Sequence, residues 1–215
     1  FIRAIADDVI IAIGHTAADG AQIRAAVDAG ARLSTHLGNG AHVRIARHPN
    51  YIWEQLAEDR LTASLICDGH HLPPAVIKTM VRTKGAERTI LISDAVAVAG
   101  LPPGIYDTAV GGKVELLPSG RLNLFGTPYL AGSASALPEG IENAVRHAGV
   151  TLAEAVRFAT ANPARLLRLD GPRGRGAVRV GAIADLTLFR HDGADDAMAV
   201  TMTVVNGEVV YRHDG

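Results

Sequence analysis

The sequence predicts an α/β fold built on a parallel sheet, and two observations carry that reading. Four apolar runs, VIIAIGHT, ARLSTHLGNG, LTASLICDGHH and RTILISDA, each end in a motif bearing an ionisable or metal-binding group. A strand that is apolar almost throughout is buried on both faces, as in a parallel sheet, and polar residues at its C-terminal tip face the mouth of a barrel or crevice. The segments between these runs carry helical spacing and capping signals. The order β-α-β-α-β-α-β with short joins then implies right-handed crossovers.

Taken in order, strand 9–13 runs into Gly14, His15 and Thr16, and the spacing of Thr16 and Asp19 reads as a capping box for a helix over 18–29 closed by Gly30. Strand 32–35 follows at once and gives way to a long polar loop, 36–50, that holds Gly38, Gly40 and Pro49. A helix is expected over 51–58 and a strand over 62–66. Pro73 and Pro74 suit a helix start, and that helix continues to Lys84 before Gly85. Strand 89–93 delivers Ser93, Asp94 and Ala95.

Beyond Asp94 the period changes. The stretch GIYDTAVGGKVELLPSGRLNLFG alternates apolar and polar residues around Gly111-Gly112 and Ser119-Gly120, the pattern of β-hairpin ribbons. Helices resume at about 138–148 and 151–168, the second opened by a Thr151/Glu154 capping box. The tail predicts one strand and then a hairpin across Asn206-Gly207. The expected organisation is a partial barrel over 1–170 with a hairpin insertion at about 104–127, followed by β-strands of a small sandwich domain over 171–215. A closed barrel needs eight βα units and typically about 250 residues, so four units read as the C-terminal part of a longer enzyme.

Composition narrows the class without deciding it. With 215 residues, 48% of them hydrophobic, the chain can bury a sizeable core. A formal net charge of -1 gives no global field to attract nucleic acid or an anionic membrane. Cys67 is the only cysteine, so no intrachain disulfide forms and a reducing, cytoplasmic setting is expected. No apolar stretch reaches the roughly 18 residues of a membrane span.

The chemistry-bearing residues cluster at the strand tips. Neutral imidazoles from His15 and His36 at adjacent tips can bind one zinc-like ion at about 2.0–2.1 Å. Asp94, on another tip, suits a general base. Against these stand plainer readings: Asp68 satisfies loop backbone N–H groups, His70 is a neighbour of His71 pointing elsewhere, and His42 and His48 are solvated. Cys67 reads as a small buried hydrophobe, Trp53 as packing, and Asn162-Pro163-Ala164 as a junction between two helices. The glycines of GPRGRGAVRVG lack the GK[ST] ending of a phosphate loop.

The ordered set GHT at 14–16, THLGNGA at 35–41, ARHP at 46–49, CDGHH at 67–71, SDA at 93–95 and LAGS at 130–133, closed by the GAVRVGAIADLTLF tail, resembles the N-acetylglucosamine-6-phosphate deacetylases of the amidohydrolase superfamily. The resemblance implies a metal-dependent (β/α)8 TIM barrel with a small β-sandwich, binding one or two divalent ions, zinc or alternatively iron, at the C-terminal mouth. It implies that His15 and His36 are metal ligands and that Asp94 is the catalytic aspartate. Asn39 and Gly40 would hold the sugar phosphate, although the family usually has Asn-Ala there. Arg47 would bind the phosphate across the interface of a homodimer, together with His71, while Leu130, Ala131 and Gly132 contact substrate. The family's glutamate ligand has no counterpart in this chain.

The expected reaction is deacetylation of N-acetylglucosamine 6-phosphate to glucosamine 6-phosphate and acetate. Two alternatives stay open: an amidohydrolase acting on another amide, because fold does not determine substrate, and a non-catalytic fragment that binds a sugar phosphate without a complete metal site.

Overall fold

A computed structural model of the chain describes residues 1–109, 111–191, 193 and 197–213. A short helix α1 (Ile2–Ile5) precedes four strands: β1 (Ile11–Ile13), β2 (Ala31–Ser34), β3 (Thr62–Ile66) and β4 (Thr89–Ile92). They pair in the order β1-β2-β3-β4, each parallel to the next. Sequential order without a switch point is that of an arc of a barrel wall. The crossovers are α2 (Gly20–Ala29), α3 (Tyr51–Ala57) and α4 (Pro74–Lys84).

Three differences from the expected elements have local causes. The capping box belongs to Asp19, whose side chain accepts from the Gln22 N–H while Gln22 reaches back to Asp19, so α2 starts at Gly20. Thr16 instead accepts from the N–H of Ala18, a turn two residues upstream. Strand β1 is shorter than expected, beginning at Ile11. The helical stretch 151–168 is two helices, α6 (Leu152–Ala159) and α7 (Ala161–Leu166), but the junction expected at Asn162-Pro163-Ala164 falls earlier, at Thr160. Pro163 explains the break, since it cannot donate to the carbonyl of Ala159 and its ring crowds that oxygen.

The main core lies between the sheet and the helices α4, α5 (Leu137–Ala148) and α6. Leu65, Leu91, Ile77 and Phe158 are fully buried there or nearly so. A second cluster under β1 and α2 joins Ile23, Val27, Ala31, Tyr51 and Leu61. Asn162 ties α7 to the entry of β4, donating to the carbonyls of Ala86 and Thr89 at 2.8 and 2.7 Å.

Lys84, at the end of α4, is 1% exposed. Its ammonium donates to three carbonyls around the end of α3, those of Gln55, Glu58 and Leu61, at 2.7, 2.9 and 3.0 Å. Burial, aided by the Arg88 charge, lowers its pKa to about 8. The three carbonyls compensate an otherwise unpaired buried charge.

Two antiparallel sheets complete the described chain. β5 (Gly104–Thr108), β6 (Gly112–Leu116) and β7 (Leu122–Leu124) form a meander with its own small core of Val98, Val114, Leu116 and Leu122. In the tail, β8 (Leu186–Arg190), β9 (Ala199–Val205) and β10 (Glu208–Arg212) pair in the order β10-β9-β8. Asn206 and Gly207, with φ of 51° and 86°, make the β9–β10 turn, the paired positive angles that a tight hairpin of this twist requires.

Candidate active site at the strand tips

Each parallel strand hands over a polar residue two positions beyond its last residue: His15 after Ile13, His36 after Ser34, Asp68 after Ile66 and Asp94 after Ile92. Because the strands run parallel and in sequence, the four residues lie at one end of the sheet. His36 and Asp94 adopt left-handed backbone angles, φ 29° and 52°. Such conformations cost of order 1–3 kcal/mol in a non-glycine residue and persist where surrounding structure imposes them. For His36 that structure is Ser64 on β3, whose hydroxyl accepts the His36 N–H at 2.8 Å and donates to the Ser34 carbonyl at 3.1 Å.

The Nε2 atoms of His15 and His36 approach to 3.2 Å, with the rings edge-on at a centroid distance of 4.8 Å. Two nitrogens on one tetrahedral ion with bonds of about 2.0–2.1 Å are themselves about 3.3–3.4 Å apart. The pair therefore fits two corners of a metal site. His36 Nδ1 is buried without a partner among the described residues, and in a metal-bound imidazole this is the atom that normally donates to an orienting acceptor. Among the described residues no group of three or more His, Cys, Asp or Glu side chains is placed to hold a metal ion.

Asn39 and Gly40 follow on the same loop. The Asn39 N–H donates to the His36 carbonyl at 2.9 Å, which closes a turn, and its Nδ2 is buried without a partner among the described residues. A cavity of about 20 Å³ lies beside His15, Asn39, Gly40 and Gln55. That is room for about one water. Arg47 is exposed, and its guanidinium has no hydrogen-bond or ion-pair partner among the described residues. His42 is exposed, as expected, and it also leans on Tyr51, whose hydroxyl accepts its backbone N–H and pairs with its Nδ1, both at 2.9 Å.

The tip of β3 holds a buried network that sequence reasoning reduced to a turn. Asp68 Oδ1 does accept the N–H groups of His70 and His71, both at 2.9 Å. Its Oδ2, however, lies 2.7 Å from His71 Nδ1 and 2.9 Å from the Ser133 hydroxyl. Both side chains of the Asp68–His71 pair are nearly buried. Burial pushes the Asp68 carboxyl up, but the His71 ring and the two backbone donors outweigh it and hold the group below the usual carboxylate range. An ionised carboxylate only accepts, so His71 Nδ1 carries a hydrogen. The Asp-x-x-His spacing was visible in the sequence; Ser133, 65 residues away, gave no local signal.

Neighbouring groups are accounted for structurally. Burial, with the Asp68 charge adding, pushes the Cys67 thiol up to about 12, so it is a poor nucleophile. His70 donates to the Ser119 carbonyl at 3.2 Å and so touches the β6–β7 turn. Leu130 and Ala131 pair with Asn123 and Leu122, while Gly132 (φ 84°) leads into Ser133, which bridges Ala95. The loop thus stitches the antiparallel insert to the tip of β4. A separate cavity of about 700 Å³ between α5, α6 and the tail sheet is lined mainly by apolar side chains and lacks this chemistry.

A parallel arc carrying His, His, Asp and Asp at its tips has the architecture of part of a (β/α)8 barrel wall, and comparison with known proteins gives its family. The amidohydrolase family model matches residues 5–210, and the chain belongs to that family. It is 38% identical over 167 residues to an N-acetylgalactosamine-6-phosphate deacetylase of Escherichia coli O157:H7, covering 78% of this chain and 43% of that protein. It is 34% identical over 188 residues to the N-acetylglucosamine-6-phosphate deacetylase of Bacillus subtilis, covering 87% and 46%. The chain spans about half the length of the curated relatives it matches. A mutant N-acetyl-D-glucosamine-6-phosphate deacetylase from Mycobacterium smegmatis, solved in complex with N-acetyl-D-glucosamine-6-phosphate, superposes with a TM-score of 0.82 at 36% identity, over 97% of this chain and 54% of that one. The corresponding enzyme of Thermotoga maritima gives 0.85 at 28% identity, over 99% and 55%. No helix among the described residues is long and apolar enough to cross a membrane.

Proposed function

We propose that this chain supplies the C-terminal half of the active site of a divalent-metal-dependent, cytoplasmic deacetylase that converts N-acetylglucosamine 6-phosphate to glucosamine 6-phosphate and acetate. The observation that carries the reading is the His15–His36 nitrogen pair at successive strand tips, 3.2 Å apart. The relatives' named substrates support the phosphorylated amino sugar. In this reading residues 1–170 are barrel wall with the 104–127 insertion, the barrel is closed by further βα units, and 171–215 belong to a small β-sandwich.

His15 and His36 would hold zinc, or alternatively iron, which when bound supplies Lewis acidity and a lowered pKa for water. Asp94 accepts a proton from the attacking water and delivers it to the departing amine, because an amine leaves poorly unless protonated. Water adds to the acetyl carbon, the C–N bond breaks, and the water's proton ends on nitrogen. Asn39, Gly40 and the Leu130–Ala131–Gly132 loop border the sugar. His71 and Arg47 grip the 6-phosphate, Arg47 by its bidentate fork. Arg47, exposed and without a partner among the described residues, supports a homodimer in which one subunit completes its partner's pocket.

The test is acetate release by the full-length, metal-loaded protein from N-acetylglucosamine 6-phosphate, its galacto epimer and unphosphorylated N-acetylglucosamine. Preference for the gluco 6-phosphate supports the proposal. Preference for the epimer would move the substrate to N-acetylgalactosamine 6-phosphate, the substrate named for the Escherichia coli relative. Failure on all three would overturn it.

A further inference from the structure

The network at the tip of β3 has more donors than a turn needs. Asp68 receives four hydrogen bonds: two from backbone N–H groups, one from the His71 ring and one from the Ser133 hydroxyl. Ser133 is 2% exposed. Its backbone is committed elsewhere, the N–H donating to the Asp94 carbonyl at 3.2 Å and the carbonyl accepting from Val96 at 3.0 Å. One serine therefore holds the left-handed Asp94 segment through its main chain and the Asp68–His71 pair through its side chain.

We propose that Asp68 and Ser133 are positioning residues: Ser133 fixes the Asp68 carboxylate, which holds the His71 Nδ1–H and turns Nε2 toward the ligand, where the ring meets a phosphate as the doubly protonated cation and donates from Nε2. The geometry requires this order. The carboxylate cannot donate, so the ring must; the two backbone donors occupy Oδ1 and leave Oδ2 to the imidazole and the hydroxyl. Without the Ser133 bond, Oδ2 keeps only the His71 contact. The same serine then keeps the His71 side of the pocket in register with Asp94, since movement of its backbone moves both.

The role of His71 toward a phosphate rests on the function proposed above, whereas the state of its ring does not. Two measurements separate them. In full-length, zinc-loaded protein labelled with nitrogen-15 histidine, the His71 signals are expected to report a hydrogen on Nδ1. Asp68→Asn, which can turn an amide N–H toward the ring, shifts the population toward the Nε2–H tautomer, and Ser133→Ala perturbs the same signals. In kinetics, Asp68→Asn lowers the preference for N-acetylglucosamine 6-phosphate over the unphosphorylated sugar by about 10–100-fold, mainly through KM, the effect of a lost charged hydrogen bond. Ser133→Ala gives a smaller loss, roughly 3–10-fold. In a His71→Ala background Asp68→Asn costs little more, because its effect passes through the ring. Unchanged His71 signals in both variants, or full additivity of Asp68→Asn with His71→Ala, would overturn the proposal. A wild-type protein inactive on all sugars would instead sink the substrate reading, and the ring signals would still decide the positioning role.

Discussion

Gly40 lies so close to His15 that a Cβ on it would sit 2.2 Å from the ring's Nε2. Gly40 also has φ 61°, where an L side chain is strained. We expect Gly40→Val, bulkier than the alanine usual in the family it resembles, to push the His15 ring from its station beside His36 and to weaken zinc binding by roughly 10–100-fold, the usual range when a ligand's support is disturbed. Competition with a chromophoric chelator measures this directly; unaltered affinity would mean that the His15 ring reaches the ion from another rotamer.

Asp94 stands on the left-handed turn after β4 that Ser133 holds. Asp94→Asn keeps the shape and removes the base, so kcat is expected to fall by roughly 10²–10⁴-fold with KM little changed. Turnover near that of the wild type in the metal-loaded variant would exclude Asp94 as the proton carrier.

Arg47 has no partner to lose within the described chain, so its removal should be silent for folding. Arg47→Ala is expected to weaken the phosphorylated sugar by about 1.5–3 kcal/mol and to leave the unphosphorylated sugar nearly unaffected. Sedimentation in parallel checks the dimer. Equal losses on both sugars would assign Arg47 to structure.

Lys84→Met leaves three buried carbonyls without their donor and should cost about 1–3 kcal/mol of stability at neutral pH. The sign of its pH dependence follows from the depressed value. Between about 8 and the ordinary 10.5, the unfolded chain binds more protons than the folded one at this site, so wild-type stability gains with rising pH. The Met variant lacks that gain, and the difference in denaturation midpoint is expected to widen across this window. A gap that narrows there would show that the carbonyls favour the charged amine more than burial disfavours it.

Much of the parallel sheet was legible because the signal is local and redundant. An apolar run such as LTASLI, bounded by turn residues, can be only a few things, and its successors repeat it. Boundaries were less legible where two local signals overlapped. Thr16 and Asp19 compete for one helix start, and the outcome depends on Gln22 reaching back to Asp19. The break at Thr160 arises from Pro163, whose effect falls four residues upstream of itself. Least legible was the Ser133–Asp68 contact, because a bond across 65 residues exists only once the insert has folded back on the sheet. The pairing of His42 with Tyr51 was hidden for a related reason, since it depends on how the 36–50 loop closes over α3.

The constant two-residue offset between strand end and polar residue makes chain length in these strands as consequential as chemistry. Side chains alternate faces with a period of two, so a single-residue insertion or deletion turns each tip residue from the mouth to the flank. A substitution within a strand alters packing and stays there; a length change travels to the site. Natural variants of this chain are therefore expected to keep the spacings within β1 to β4 and to place their insertions in the 36–50 loop and the 104–127 ribbon. There, added residues could reshape the pocket's rim and its preference among ligands without re-aiming His15, His36, Asp68 or Asp94.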